Sequence, residues 1–491
     1  MNPRKFLRFA VIAAVLPLFS CSGVKNVCTS NCGGGGSNGS LNLTLAATPF
    51  TPPPNTSILS FAVLINSVSL TPSAGGSDVT IPLNNSSFGV DLTRLQSDSA
   101  YLGQFINSVP TGTYNQLSVN LNAVVTYCAA TSGTPGCNSG SIAQISKAFA
   151  SATTSNFSFT MGANQQAGLR VVINFANALT VNPATQAVTA INLTAANVVA
   201  TATLPPTLST LSAGQLDYLE DVTGVITAAS SSSVTVQTAT RGPITSVITG
   251  STLVSPDCLI TNLQNQACAP AVGQVVSMDS TLNADGTSSM LLFDPLSLTS
   301  VDLIEGIVTS ETASSTQFQI VANDVVKANS NSLIGGLSLG DTVNVSLANL
   351  IAGFFIDGKG LPLTSSSFNG SNSATDIHTG QTVMVRVKAF TPKSGSTPAS
   401  ATADAVVLRF TRFAAAATGA GAPQFSVGSL PPFFGFTTLP LVQLGNGNPI
   451  TYLDGYPSSG SITSGDNLGI RALYFGTNVS PSFSAAKIRK N

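Results

Sequence analysis

Two kinds of side chain in this sequence have the type and spacing to do chemistry: a serine set for nucleophilic attack and carboxylates set for acid–base work. Gly336-Leu337-Ser338-Leu339-Gly340 matches the nucleophile-elbow pattern Gly-x-Ser-x-Gly, and the only histidine, His378, comes later with Asp357 and Asp376 between. An elbow needs a strained turn from a strand into a helix, which lifts the hydroxyl towards its base. The residues after Gly340 are Asp341-Thr342-Val343-Asn344-Val345-Ser346-Leu347, an alternating strand pattern. The turn therefore leads into the wrong element. Gly35-Gly36-Ser37-Asn38-Gly39 repeats the pattern in a glycine-rich stretch that packs nothing. His378, in a Ser/Asn-rich stretch, reads as a solvated loop histidine.

Carboxylate chemistry on glycans needs two Asp or Glu side chains flanking one bond. Glu220-Asp221 are adjacent, and on a strand they would face opposite ways or cap a turn. Glu305 and Glu311 are the only other glutamates, and the aspartates are dispersed. Asp91 reads as structural, in a turn. Asn283-Ala284-Asp285-Gly286-Thr287 lacks the alternating ligands and closing Glu of a calcium loop, so a hairpin turn is expected. No glycine-rich loop stands between a strand and a helix, which leaves a nucleotide without a site. Seven cysteines are present. Cys28/Cys32, Cys128/Cys137 and Cys258/Cys268 form three local pairs, read as disulfides of an exported chain, each loop closure contributing about 2–3 kcal/mol. One histidine and no close Cys-x-x-Cys pair speak against zinc, and neither metal nor cofactor is expected.

Cys21 stands apart. Arg4, Lys5 and Arg8 precede an apolar run from Phe9 to Leu18, too short to span a bilayer. Leu18-Phe19-Ser20-Cys21 resembles the lipobox of bacterial lipoproteins, which implies cleavage before Cys21 and lipidation of its thiol. Plain secretion, with cleavage near Ser22-Gly23, is the alternative. Residues 1–20 would then be signal peptide and 21–40 a lipidated cysteine with a Gly/Ser tether of flexible-coil composition. Ser22 in place of Asp resembles the sorting signal for the outer membrane. Loss of the leader removes three of 19 basic residues and leaves 16 against 20 acidic ones. That balance, without a basic patch or tryptophan, excludes nucleic acid as the expected partner.

The elements that must carry these residues are strands. Charged residues make up only 8% of the chain, so exposed helical faces have few formers, while Ser, Thr, Asn, Val and Gly abound. Gln116-Leu117-Ser118-Val119-Asn120-Leu121-Asn122 alternates with period two, as does Leu169-Arg170-Val171-Val172-Ile173-Asn174-Phe175, giving one packed and one wet face. Phe61, Val63 and Ile65 alternate, then Val68 and Leu70 fall out of phase, which predicts a bulge at Asn66-Ser67. Gly89-Val90-Asp91-Leu92-Thr93-Arg94-Leu95-Gln96, followed by Val109-Pro110-Thr111-Gly112-Thr113-Tyr114-Asn115-Gln116-Leu117, resembles the core of the domain-of-unknown-function 4382 family. That resemblance implies a prealbumin- or Ig-like β-sandwich over residues 41–204 in an exported lipoprotein, and carries no activity.

Residues 205–221 read as a linker, with the best chance of a short helix in 208–221. Beyond it a unit recurs. Thr223-Gly224-Val225-Ile226 and Glu305-Gly306-Ile307-Val308 open it, and Gly273-Gln274, Gly340-Asp341, Gly380-Gln381 and Gly465-Asp466 each precede an alternating strand. These units resemble the OB-like small barrels of the domain-of-unknown-function 5666 family. The alternative is turn chemistry recurring without homology. The expected barrels cover 222–300, 301–415 with insertions, and a degenerate copy at 416–491. The chain as a whole reads as an all-β, non-enzymatic envelope module, held to a membrane by its N-terminal lipid, with an envelope glycan or protein as partner. A carbohydrate-active enzyme using paired Asp side chains and an accessory subunit with an exposed patch at Phe433–Phe436 are the alternatives.

Overall fold

The computed structural model describes residues 38–490, apart from 51–55, 130–135, 138–140, 195–196, 206–210, 255–268, 312–315, 350–352, 360, 362–367, 369–376, 420–422, 429, 446–450 and 478. Cys21, Cys28, Cys32, Cys258, Cys268 and Asp376 lie outside the described residues. Alternation of β-branched and polar residues produces strands almost everywhere, as composition predicts.

The N-terminal part is two sheets face to face. Thr56–Pro72 and Gly112–Ala129 form the long antiparallel pair of one sheet. Its register shifts between Ile65 and Ser67, the expected bulge, after which Val68 and Leu70 turn inward again. In the other sheet Gly39–Ala47 lies between Gln166–Ile173, which it meets in parallel, and Ala100–Val109. Leu41, Leu43 and Leu45 face Phe61, Val63 and Val119 in one core. The outer face of this second sheet is not wet as the alternation suggests. Asn42, Thr44 and Arg170 are buried on it, because the first barrel covers them.

Three barrels of one topology complete the chain's described part. The first uses Gln215–Ala229, Ser233–Gln237, Pro243–Val247, Leu253–Val254, Val275–Asn283 and Ser288–Ser297. The second uses Leu303–Glu311, Gln317–Val326, Thr342–Leu347, Gly353–Ile356, Thr382–Thr391 and Ala399–Arg409. The third uses Thr411–Ala417, Gln424–Gly428, Leu441–Leu444, Tyr452–Asp454, Asn467–Thr477 and Ser480–Lys490. In each, the strands run 3-2-1-5-6-4, and a parallel contact between strands 3 and 6 closes a five-stranded, OB-like ring.

Several boundaries move. The first barrel strand begins at Gln215, so the segment expected to hold a short helix is a strand from there on, paired with Val275–Asn283. Tertiary pairing overrides a weak local preference. The third barrel begins at Thr411 and is complete rather than degenerate, and the Phe/Pro-rich stretch lies within it. Its sequence departs for a local reason. Gly224 and Gly306 let the second strand approach closely: a Cβ there would lie 2.2 Å from the Gln237 carbonyl oxygen and 2.5 Å from that of Val321. Ala415 takes this position in the third barrel, where first and second strands pair only at Ala416 and Ala417.

The recurring Gly-Gln/Asp is one turn used four times. Gly273, Gly380 and Gly465, all at φ near 90°, precede strand 5, and their N–H groups donate to Ile226, Val308 and Ala417 of strand 1. The next side chain accepts the N–H three residues back: Gln274 from Ala271, Gln381 from His378, Asp466 from Thr463. Gly340-Asp341 builds the same turn, with Asp341 accepting from the Ser338 N–H, but before strand 3 of the second barrel. Three of the four matches are equivalent, and the fourth is turn chemistry alone. Residues 37–491 form one compact unit, so the barrels pack together rather than hang in a string.

Candidate functional site

Among the residues read as chemical, the structure brings the carboxylates together and leaves the serine alone. Ser338 sits in a turn leading into a strand, its N–H held by Asp341 at 2.9 Å, so the elbow geometry is absent. His378 is half-buried rather than solvated, with Nδ1 3.6 Å from Glu311. Asp285-Gly286 forms the turn between Val275–Asn283 and Ser288–Ser297, with Asp285 accepting from the Thr287 N–H and hydroxyl at 2.9 and 2.7 Å. Asp91 anchors a turn, accepting from the N–H groups of Phe61 and Thr93 at 2.9 Å and from Asn323 at 2.7 Å. Cys128 and Cys137 form a disulfide with Cα atoms 6.0 Å apart. Gly136 and Cys137 dock onto the barrels, the Cys137 N–H donating to the Thr309 carbonyl and the Gly136 N–H to that of Phe433.

Glu220 and Asp221 do not point to opposite faces. A register shift between Leu219 and Val222, with Asp221 at φ 48°, turns both into the interior. There they join Asp98, Asp217, Asp279, Glu305, Asp324, Asp357 and Asp454, all buried. Nine buried cations answer these nine carboxylates: Arg94, Arg170, Arg241, Lys359, Arg409, Arg412, Arg471, Lys487 and Arg489. Nearly half of the charged residues of the chain are in this one network.

The network has a defined build. The first barrel contributes mostly acids (Asp217, Glu220, Asp221, Asp279) and the third mostly bases (Arg412, Arg471, Lys487, Arg489). Opposite charge thus selects which faces meet. The sandwich supplies a wedge, residues 94–99. Arg94 pairs with Glu305, Asp98 with Arg412 at 2.8 Å, and Ser99 N–H donates to Glu220 at 3.0 Å. Arg489 donates to the carbonyls of Leu95 and Asp98 at 3.1 and 2.7 Å and pairs with Asp454 at 2.8 Å. Arg170 grips Asp217 in bidentate fashion at 2.6 and 3.1 Å. Asp221 is the centre, in contact with Lys359, Arg409, Arg412 and Arg471.

Electrostatics obey the geometry. Burial alone would raise the pKa of every carboxyl here. At Asp98 that rise is outweighed by Arg412, Arg471 and Lys487, and its pKa falls to about 2. Burial is likewise outweighed at Glu305 by Arg94, Arg409 and Arg412, also giving about 2, and at Asp221 its four cations hold the pKa well below the usual value. Glu220 is the exception: burial dominates and Asp98 adds to it, so its pKa is raised despite Lys487. The cavities beside the network have volumes of about 40 and 30 Å³, room for a water or two and not for a sugar ring. Among the described residues, no group of three His, Cys, Asp or Glu side chains is placed to hold a metal ion.

The Phe/Pro-rich stretch is not the exposed patch that a docking role would use. Phe433 and Phe434 are buried, packed on Phe413 at 6.0 Å and Tyr474 at 6.2 Å from the Phe434 ring, with Phe436 half-buried beside them. Sequence reasoning missed Arg94 to Ser99 as a site and most of the cations. A partial signal was present in the repeats: the sixth residue after the turn glycine is charged every time, Asp279, Arg386 and Arg471, and the first and last of these belong to the network, whereas Arg386 pairs with Asp404. Neither a protein-family model nor a curated protein matches this chain.

Proposed function

We propose that this chain is a non-enzymatic module of a bacterial cell envelope, lipid-anchored at Cys21, outer-membrane in location, and built to present one rigid β body to envelope glycan or protein. The observation that carries the non-catalytic part is the network around Asp221. Acid–base work on a glycan needs two carboxylates with an open face and one of them free to hand over a proton. Here the clustered carboxylates are paired with cations, enclosed, and mostly pushed down in pKa, which is the signature of a structural ion network. The anchor rests on the leader and on Leu18-Phe19-Ser20-Cys21.

Peptide mass spectrometry of the protein extracted from its membrane tests the anchor. A mature chain starting at Cys21 with diacylglycerol attached is expected, and one starting at Gly23 without lipid would overturn the reading. Incubation with envelope polysaccharides tests the rest. No release of reducing ends is expected, whereas release that disappears in Asp279→Asn, with thermal stability retained, would make the protein an enzyme.

A further inference from the structure

Most of the buried network can only hold charge, but one pair in it can react. Seven of its nine cations are arginines, which keep their proton inside a protein and offer no nucleophile. The two lysines are Lys359 and Lys487. Lys359 is shared between Asp221 and Asp279, whose pKa values Arg471 and Lys359 itself hold down against burial. Such carboxylates stay ionised and make poor electrophiles. Among the described residues Lys487 has one carboxylate within salt-bridge distance, Glu220, and that is the carboxyl whose pKa burial raises.

The pair is dry and framed for attack. Both side chains are buried, Lys487 at 0% and Glu220 at 1% exposure, with Nζ of Lys487 against Oε1 of Glu220. Nζ lies 5.5 Å from the centre of the Tyr218 ring, which packs on Tyr452 at 4.7 Å. The other carboxylate oxygen, Oε2, accepts the Ser99 N–H at 3.0 Å. A backbone N–H in that place is an oxyanion donor, because negative charge grows on Oε2 when the carboxyl carbon is attacked. In a site without water a charged pair loses much of its advantage over a neutral one. Passage of one proton from Nζ to Oε1 then leaves an amine lone pair beside the carboxyl carbon. Asp98, one residue before Ser99, favours the same neutral acid through its like charge.

We infer that Lys487 and Glu220 condense to an isopeptide bond, joining the last strand of the third barrel to the first strand of the first. Nζ gives one proton to Oε1, and its lone pair forms the N–Cδ bond while charge gathers on Oε2 against the Ser99 N–H. A second proton passes from Nζ to Oε1, the Cδ–Oε1 bond breaks and one water leaves. No oxidant, cofactor or second substrate is consumed. A cavity of about 30 Å³ beside Tyr452 and Ala486 has room for that water. The reaction runs once per chain, so it is a modification and not turnover. It closes a covalent ring between residues 267 apart, through all three barrels, and does not depend on the lipid anchor.

Tryptic mapping of the full chain, purified folded and then denatured, reduced and digested, tests this. A branched peptide joining Val171–Arg241 to Ala472–Arg489 is expected, lighter than their sum by one water, with cleavage after Lys487 lost. Conversion should approach one bond per chain. K487R keeps the cation but has no amine to acylate, and should lose the branched peptide completely with its circular dichroism spectrum unchanged. Fragments made by cutting between the barrels should stay joined on a reducing denaturing gel in the wild type and separate in K487R. Quantitative cleavage after Lys487 in folded wild-type protein would overturn the inference whether or not the variant folds. A water-loss crosslink found at Lys359 instead would overturn it too. Either failure leaves the rigid envelope module standing, whereas release of reducing ends from a glycan would overturn the non-catalytic reading and leave the bond in place.

Discussion

The sandwich meets the barrels along two seams, and they treat charge in opposite ways. At the network around Asp221, nine cations face nine carboxylates in a closed interior. At a groove of about 460 Å³ walled by Leu64 and Val124 of the sandwich and Leu337 and Leu339 of the second barrel, Lys327 lines a mainly apolar surface and has no carboxylate within salt-bridge distance among the described residues. The first arrangement is self-sufficient: each charge lost its water on folding and regained a partner from the chain. Removing one partner there strands a buried charge, which is why such pairs are costly to break even when their net contribution is small. The second arrangement leaves Lys327 with no ion pair to lose.

The contrast can be broken at either end. The largest effect is expected from Asp221→Asn, which leaves Lys359, Arg409, Arg412 and Arg471 short of their common partner; urea denaturation should show a loss of about 3–5 kcal/mol, or no folded protein. Acid comes next. Asp98 and Glu305 have folded pKa values of about 2, below an unfolded value of about 4. Their stabilisation is therefore complete above about pH 4 and lost as the pH falls towards 2. Glu220, shifted upward, runs the other way: its ionised form costs stability above its unfolded pKa and so offsets part of this loss. Thermal unfolding measured from pH 5 to pH 2 should show a steep fall confined to the lower half of that range. Reduction of Cys128–Cys137 should cost about 2–3 kcal/mol by denaturant titration, the loop being short. Smallest of all, Lys327→Gln should change stability by less than about 0.5 kcal/mol, since no ion pair is lost. A large fall in melting temperature in that variant would erase the distinction between the two seams.

Much of the architecture is legible in the sequence because it depends on local pattern. Leu117, Val119 and Leu121 face the core as their alternation requires, the bulge after Ile65 comes from a change of phase, and the turn glycines mark three equivalent turns into the fifth strand of each barrel. What pattern cannot show is which solvent-like face will be covered. Arg170 alternates as a wet residue and is buried, because its partner Asp217 comes from another domain. Asp98 and Arg412 lie 314 residues apart, so no window along the chain contains the pair. Gly340 misleads for the converse reason: one turn geometry serves two different places in a barrel. The groove is invisible for a similar reason, since Leu64 and Leu337 meet across it only after the barrels have docked.

The wedge at residues 94–99 also bears on the order of events during synthesis. Its segment is made early, yet Arg489 reaches the Ser99 hydroxyl from 390 residues further on. Contacts so distant in sequence form late. Until the sixth strand of the third barrel is available, Asp98, Asp217 and Glu220 lack part of their answering charge. A chain interrupted before Lys487 would hold uncompensated acids at its heart and would be a ready substrate for quality-control proteases. That strand thereby acts as a proofreader, admitting to the stable state only chains whose synthesis has passed through it.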